Sequence, residues 1–233
     1  MTPDPIPELS IELTQRIRLV RRDMGDLLFH FTRGAEPIWH EMRGHKWNVA
    51  ETAATVLMKI LQQGLRGSSK WTYGIDAVCL TEAPIQEFSS LFSLATIASE
   101  KHLRPRYEPY GVAVSKSWLF AQGGRPVIYD HPSARDKYPT DLLYRFCPYD
   151  PLNGIDYTWE REWRVQTTQL KLDPKHTLVI VPTSAEAFEI VYEHANPEVD
   201  VNADGSANGV FHTPTWLAVS LDMFGFNYGA NDA

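Results

Sequence analysis

Residues Asp156 to Gln166 read DYTWEREWRVQ. Glu160 and Glu162 stand two apart, with Arg161 and Arg164 among them and Trp159 and Trp163 beside them. Read as a strand, the stretch sends Glu160, Glu162 and Arg164 to one face and Arg161, Trp163 and Val165 to the other. Two carboxylates on one face repel unless a cation lies between them or one is protonated. Arg164 shares their face, so a salt-bridged ladder at a sheet edge explains the pattern without any chemistry. In a cleft, the same pair would stabilise a developing cation or orient a ribose hydroxyl. The choice rests on what surrounds the stretch.

Working outward, short apolar runs bounded by Gly and Pro read as strands: DLLFHFT (Asp26 to Thr32), AVCLTEAP (Ala77 to Pro84), YGVAVSK (Tyr110 to Lys116), RPVIYD (Arg125 to Asp130) and HTLVIVPT (His176 to Thr183). Helical spacing predicts helices from Ser10 to about Asp23, from Asn48 to Gly64, from Ile85 to about Ser99, over SWLFAQGG, around Asp141 to Phe146, and over SAEAFEIVYEH. Asp173-Pro174 predicts a turn, VDVNADGSANG a polar loop, and FHTPTWLAVSLDMF a last strand or helix. Neither a repeat nor a linker divides the chain. The expectation is one α+β domain over 26–233, with a mixed, split central sheet flanked by helices, preceded by a helical arm over 1–25.

At 233 residues the chain can bury one sizeable core. Its net charge of −7 argues against broad, nonspecific binding to nucleic acid, which needs a basic face. Arg16 to Arg22 (RIRLVRR) and Lys101 to Arg106 (KHLRPR) are nonetheless locally cationic. The two cysteines, Cys79 and Cys147, form no CxxC pair or Cys/His cluster, so neither a disulfide framework nor a zinc site is expected. MTPDPIPELS lacks the features of a secretory signal and no apolar run reaches membrane-span length, so a cytoplasmic protein with no membrane partner is expected.

Two further segments carry polar groups at strand ends. In HFTR, His30 and Thr32 share a strand face and offer a donor and an acceptor for one planar amide; the alternative is a hydrogen-bonded core histidine beside an ordinary strand threonine. In CLTEAP, Thr81 and Glu82 end a strand where a cleft would open; the alternative is Glu82 favoured by the N-terminus of the next helix. GxSxG, GxxxxGK[ST] and HExxH are absent, and GLRGSS lacks the strand-to-helix setting of a phosphate loop.

The order HFT, then LTE, then ExE resembles the ADP-ribosyltransferase plan, in which a first strand carries His or Arg, a second Ser, Thr or Tyr, and a late strand the Glu. HFTR with the following helix is similar to the opening of DarT-type enzymes, which modify nucleic acid. EREW is similar to the ExE of arginine-modifying transferases. Over about Leu27 to Val165, the stretches LFHFTR, VCLTEAP, YGVAVSKSWLFAQGGRPVIYD and WEREWRV resemble bacterial proteins grouped with the AbiGi abortive-infection proteins of phage defence. The resemblance implies NAD as substrate and no metal. His30, Thr32 and Arg33 would lie at the nicotinamide, with Thr81 supporting them. Glu162 would be catalytic, with Glu160 tuning it. It implies an ADP-ribosyltransferase, or an NAD glycohydrolase on the same scaffold, serving as a toxin or effector with an antitoxin or other defence partner and, as a transferase, acting on nucleic acid or protein. A non-enzymatic sensor or antitoxin-like module on the same scaffold is the alternative. The catalytic Arg of DarT-type enzymes has no clear counterpart; Arg66, Arg104 and Arg106 are the candidates.

Overall fold

Seven short strands form the central sheet of the computed structural model: β1 (Leu27–Phe31), β2 (Ala77–Thr81), β3 (Gly111–Ser115), β4 (Arg125–Pro126), β5 (Glu162–Gln166), β6 (Thr177–Val181) and β7 (Leu217–Ser220). Their order is β7-β6-β3-β1-β2-β5-β4. Every pairing is antiparallel except β6 with β7, which makes the sheet mixed and the fold α+β. The structure describes residues 16, 25–34, 38–42, 45–49, 51–88, 92, 107–193 and 195–226. The expected arm over 1–25 lies outside them except for Gly25 and Arg16, which is helical, and so does the cationic run Lys101 to Arg106.

Period-two alternation sorts neighbouring residues to opposite faces, where each meets its own core. Leu28, Leu80, Val112, Val114, Trp163 and Val179 belong to one cluster. Phe31, Ala83, Phe88, Phe92, Ala113 and Ile180 belong to the other. Because both faces are covered, β2, β3 and β6 are nearly all apolar and read as continuous runs, whereas β5 carries Glu162 and Arg164 on one face. Where β3 crosses β1, a Cβ on Gly111 would collide with the His30 carbonyl oxygen and the Phe31 backbone, so only glycine permits this approach.

Helix α1 (Ala53–Gln63) packs Leu57, Ile60 and Leu61 onto the first cluster. It starts later than expected. Asn48 lies in the strand His45–Val49, paired opposite Trp39, and the N-cap is Thr52, whose hydroxyl accepts from the Thr55 amide at 3.2 Å. Strand pairing claims the segment before the cap. Gly64 ends the helix at φ 87° as predicted. Helix α2 (Lys116–Ala121) is capped by Ser115, and α3 (Ser184–Glu193) leads from β6 to β7. Of the helix expected after Pro84, Ile85 to Phe88 and Phe92 are described and helical.

Three further readings change. RPVIYD divides: Arg125–Pro126 pairs with β5, whereas Ile128–Asp130 pairs in parallel with Phe146–Pro148. The helix expected near Asp141 is a 3-10 turn over Thr140–Arg145, and Phe146 begins a strand. The polar stretch around Asp204 is the turn of a hairpin, Ala195–Val201 with Ala207–Pro214.

Candidate functional site

The strands bearing HFT, LTE and ExE are immediate neighbours, β1-β2-β5. Thr81 is the Cα partner of Phe29 on one side and of Glu162 on the other, so one row crosses all three. The β1–β2 ladder contains this one pair. Beyond it, the Cys79 carbonyl meets His30 Nδ1 at 2.8 Å, the ring standing in for a backbone donor where the two strands part. A carbonyl oxygen only accepts, so Nδ1 carries the proton and Nε2 holds a lone pair when the ring is neutral. Burial lowers the His30 pKa and the bond to Cys79 opposes this only in part, so the ring is neutral at pH 7.

Alternation separates the predicted residues. His30 pairs opposite Val112 and follows Leu28 by two, which places it on the face of the first cluster. Glu162 lies opposite Thr81, on the other face from Trp163 and Leu80. The sheet does not bring His30 and Glu162 to one face. Their backbones are two strand spacings apart, roughly 10 Å.

Arg164 shares a face with Glu162, as alternation predicts, and holds it. Nε donates to Oε1 and Nη2 to Oε2, each at 2.8 Å, while Nη1 donates to the Tyr144 and Phe146 carbonyls at 2.8 and 3.0 Å. The guanidinium fork matches the carboxylate, and both partners are withdrawn from water, with side chains 5% and 11% exposed. Burial works against the Arg164 charge, but pairing with Glu162 more than offsets it and moves the pKa above its ordinary value. Burial, and then the Glu162 charge, push the Cys79 thiol up.

Glu160 is not on the strand, which corrects the one-face reading of the pair. Thr158–Glu160 is a 3-10 turn, and Arg161 at φ 44° occupies the left-handed region before β5 begins. Glu160 is buried, and its Oε1 accepts from the Tyr107 hydroxyl at 3.2 Å. Around it stand Trp159, Tyr107 and Phe88, whose ring centroids are 5.4 to 6.5 Å apart. Tyr129 ties the start of β5 to the loop before the turn, donating its hydroxyl to the Tyr157 carbonyl at 3.3 Å. Its hydroxyl accepts from the Glu162 amide at 3.2 Å, and its pKa rises to about 12, chiefly through burial, with Cys147, Glu162 and Glu160 adding to the rise.

The two threonines are committed to backbone. Thr32 Oγ1 lies 3.1 Å from both the Ala53 and Tyr110 carbonyls. Thr81 Oγ1 donates to the Glu160 carbonyl and accepts from the Ala83 amide at 3.1 Å, which ties the turn to β2. Arg33 is exposed beyond the end of β1. Glu82 does not serve the next helix: its carboxylate accepts from Lys116 Nζ and, at 2.8 Å, from Trp163 Nε1. Arg66 lies on a two-residue strand, Leu65–Arg66, paired with Gln169–Leu170, so GLRG is a sheet edge. Arg104 and Arg106 lie outside the described residues.

No family model, curated protein or solved structure matches this chain. Among the described residues, no group of three or more His, Cys, Asp or Glu is placed to hold a metal, and no helix is long and apolar enough to cross a membrane. Sequence reasoning missed Tyr129 and Tyr107. Tyr129 sits in RPVIYD, whose unbroken-strand reading conceals that Ile128–Asp130 leaves the main sheet.

Proposed function

We propose that this chain is an NAD-consuming enzyme with an ADP-ribosyltransferase-like fold, a toxin or effector of bacterial phage defence that transfers ADP-ribose to nucleic acid or protein. The adjacency of β1, β2 and β5, with Thr81 paired to both neighbours, supports this reading most. It brings the three motif-bearing strands together from positions 27 to 166 of the chain. NAD would bind on the Glu162 face of the sheet, and His30, on the other face, would hold β1 to β2 through the Cys79 carbonyl and not touch the nicotinamide. As the glycosidic bond loosens, the ribose becomes oxocarbenium-like, and the Glu162 carboxylate would stabilise it or accept from a ribose hydroxyl. Tyr129, through the Glu162 amide, and Arg164, through the carboxylate, would position Glu162, with Glu160 tuning it. A cytoplasmic setting and an antitoxin or other defence partner belong to the same reading.

A second reading, a non-enzymatic sensor or antitoxin-like module, is favoured by the grip of Arg164 on both Glu162 oxygens and by the backbone commitments of Thr32 and Thr81. Induced expression in a bacterial host separates the two. The enzyme should arrest growth, and Glu162→Gln, present at equal soluble level, should relieve the arrest. A binding module should affect growth equally with either residue.

A further inference from the structure

Ahead of the glutamates in sequence, His131, Ser133 and Asp150 form a second constellation. His131 Nδ1 lies 2.8 Å from Ser133 Oγ and receives the Ser133 backbone amide at 3.3 Å. An amide N–H only donates, so Nδ1 is unprotonated and the ring proton of the neutral imidazole is on Nε2. Nε2 in turn faces Asp150 Oδ2 at 3.5 Å. Asp150 is buried and fixed: Asn153 Nδ2 donates to Oδ2 at 2.7 Å and the Asn153 amide to Oδ1 at 3.3 Å, and these bonds hold its carboxyl below the ordinary range. Ser133 and His131 are both exposed. The arrangement is a hydroxyl against the unprotonated nitrogen of an imidazole, a nitrogen that the Ser133 amide also reaches, while the other nitrogen faces a fixed carboxylate.

We propose that Ser133, His131 and Asp150 form a second, nucleophilic site that accepts acyl groups from reactive carboxylic esters. Ser133 Oγ attacks the ester carbonyl, its proton passes to His131 Nδ1, and Asp150 steadies the imidazolium. Collapse of the tetrahedral adduct breaks the bond to the leaving alcohol, which takes the proton back from Nδ1. The acyl-serine is then released by water, activated by the same nitrogen. Because the site faces solvent, the oxyanion is met by water, and the acceleration is that of general base catalysis, on the order of 10²–10⁴-fold. Esters with good leaving groups fall within that range and amides do not.

The test is incubation of the full chain with p-nitrophenyl acetate, followed by p-nitrophenolate absorbance and peptide mass spectrometry. We expect an acetyl group on Ser133, absent in Ser133→Ala. His131→Asn keeps a side-chain acceptor for the Ser133 amide, as asparagine does at helix N-caps, but removes the base. It should acetylate Ser133 at least ~10²-fold more slowly while retaining the wild-type circular dichroism spectrum. Acetylation of Ser133 at the same rate in His131→Asn, or adducts confined to lysines and other residues, would overturn the proposal.

Discussion

Arg164 grips Glu162 by both carboxylate oxygens while its remaining fork binds two backbone carbonyls, so one buried cation fastens β5 to the Thr140–Arg145 turn and the strand after it. Removing one member of a buried pair strands the other's charge. Arg164→Met should therefore destabilise the protein by about 3–5 kcal/mol. Glu162→Gln strands the Arg164 charge in turn, but the guanidinium keeps the Tyr144 and Phe146 carbonyls and one glutamine oxygen as acceptors, so this variant should cost less. Urea denaturation of both variants checks the order, and equal or reversed losses would contradict it.

The neutral His30 ring makes stability depend on pH. Its folded pKa lies below the unfolded value of about 6.5. The unfolded chain therefore binds the proton first as pH falls. The contribution of His30 is complete above about 6.5, declines as pH drops below it, and levels off below the lowered folded pKa. In His30→Gln, whose amide can still donate to Cys79, the difference from wild type in denaturation midpoint should change between pH 8 and pH 5. A difference constant across that span would contradict the assignment.

Cys79 pairs opposite Arg164, and burial followed by the charge of Glu162 holds its thiol protonated. The thiolate is the reactive form. Native protein at pH 8 should therefore modify slowly with iodoacetamide at Cys79, and urea-unfolded protein rapidly. Fast native modification at this position would show a different environment.

Thr81 joins the Ala83 amide to the Glu160 carbonyl through one hydroxyl. Thr81→Val leaves both groups without that partner and should cost about 1–3 kcal/mol, whereas Thr81→Ser should recover most of it. If serine restores stability but not nicotinamide release, Thr81 has a role toward ligand beyond holding the turn.

The strands are legible because five-residue apolar runs rich in Val, Leu and Phe are too short for helices and suit a sheet covered on both faces. The helix α1 boundary is not, since Ala50 and Asn48 fit helical spacing while the backbone of His45–Val49 is already paired in a hairpin. The candidate site divides in the same way. The order of the motif strands is visible in sequence, and so is Arg164 on the face of Glu162. The turn that lifts Glu160 off that face is not visible, because it depends on Arg161 adopting a left-handed conformation that residue type does not announce. Nor does alternation within each strand show that His30 and Glu162 fall on opposite faces. That follows from the register of Phe29 against Thr81, a long-range pairing.

The decisive measurement is nicotinamide released from NAD by the purified full chain, supplied in turn with protein and with nucleic acid as acceptor. We expect wild type to release nicotinamide, and Glu162→Gln, folded to the same extent, to release it at least ~10²-fold more slowly. Equal release by the two proteins, or none by wild type with any acceptor, would contradict a catalytic Glu162 and leave the binding module as the function of this sheet.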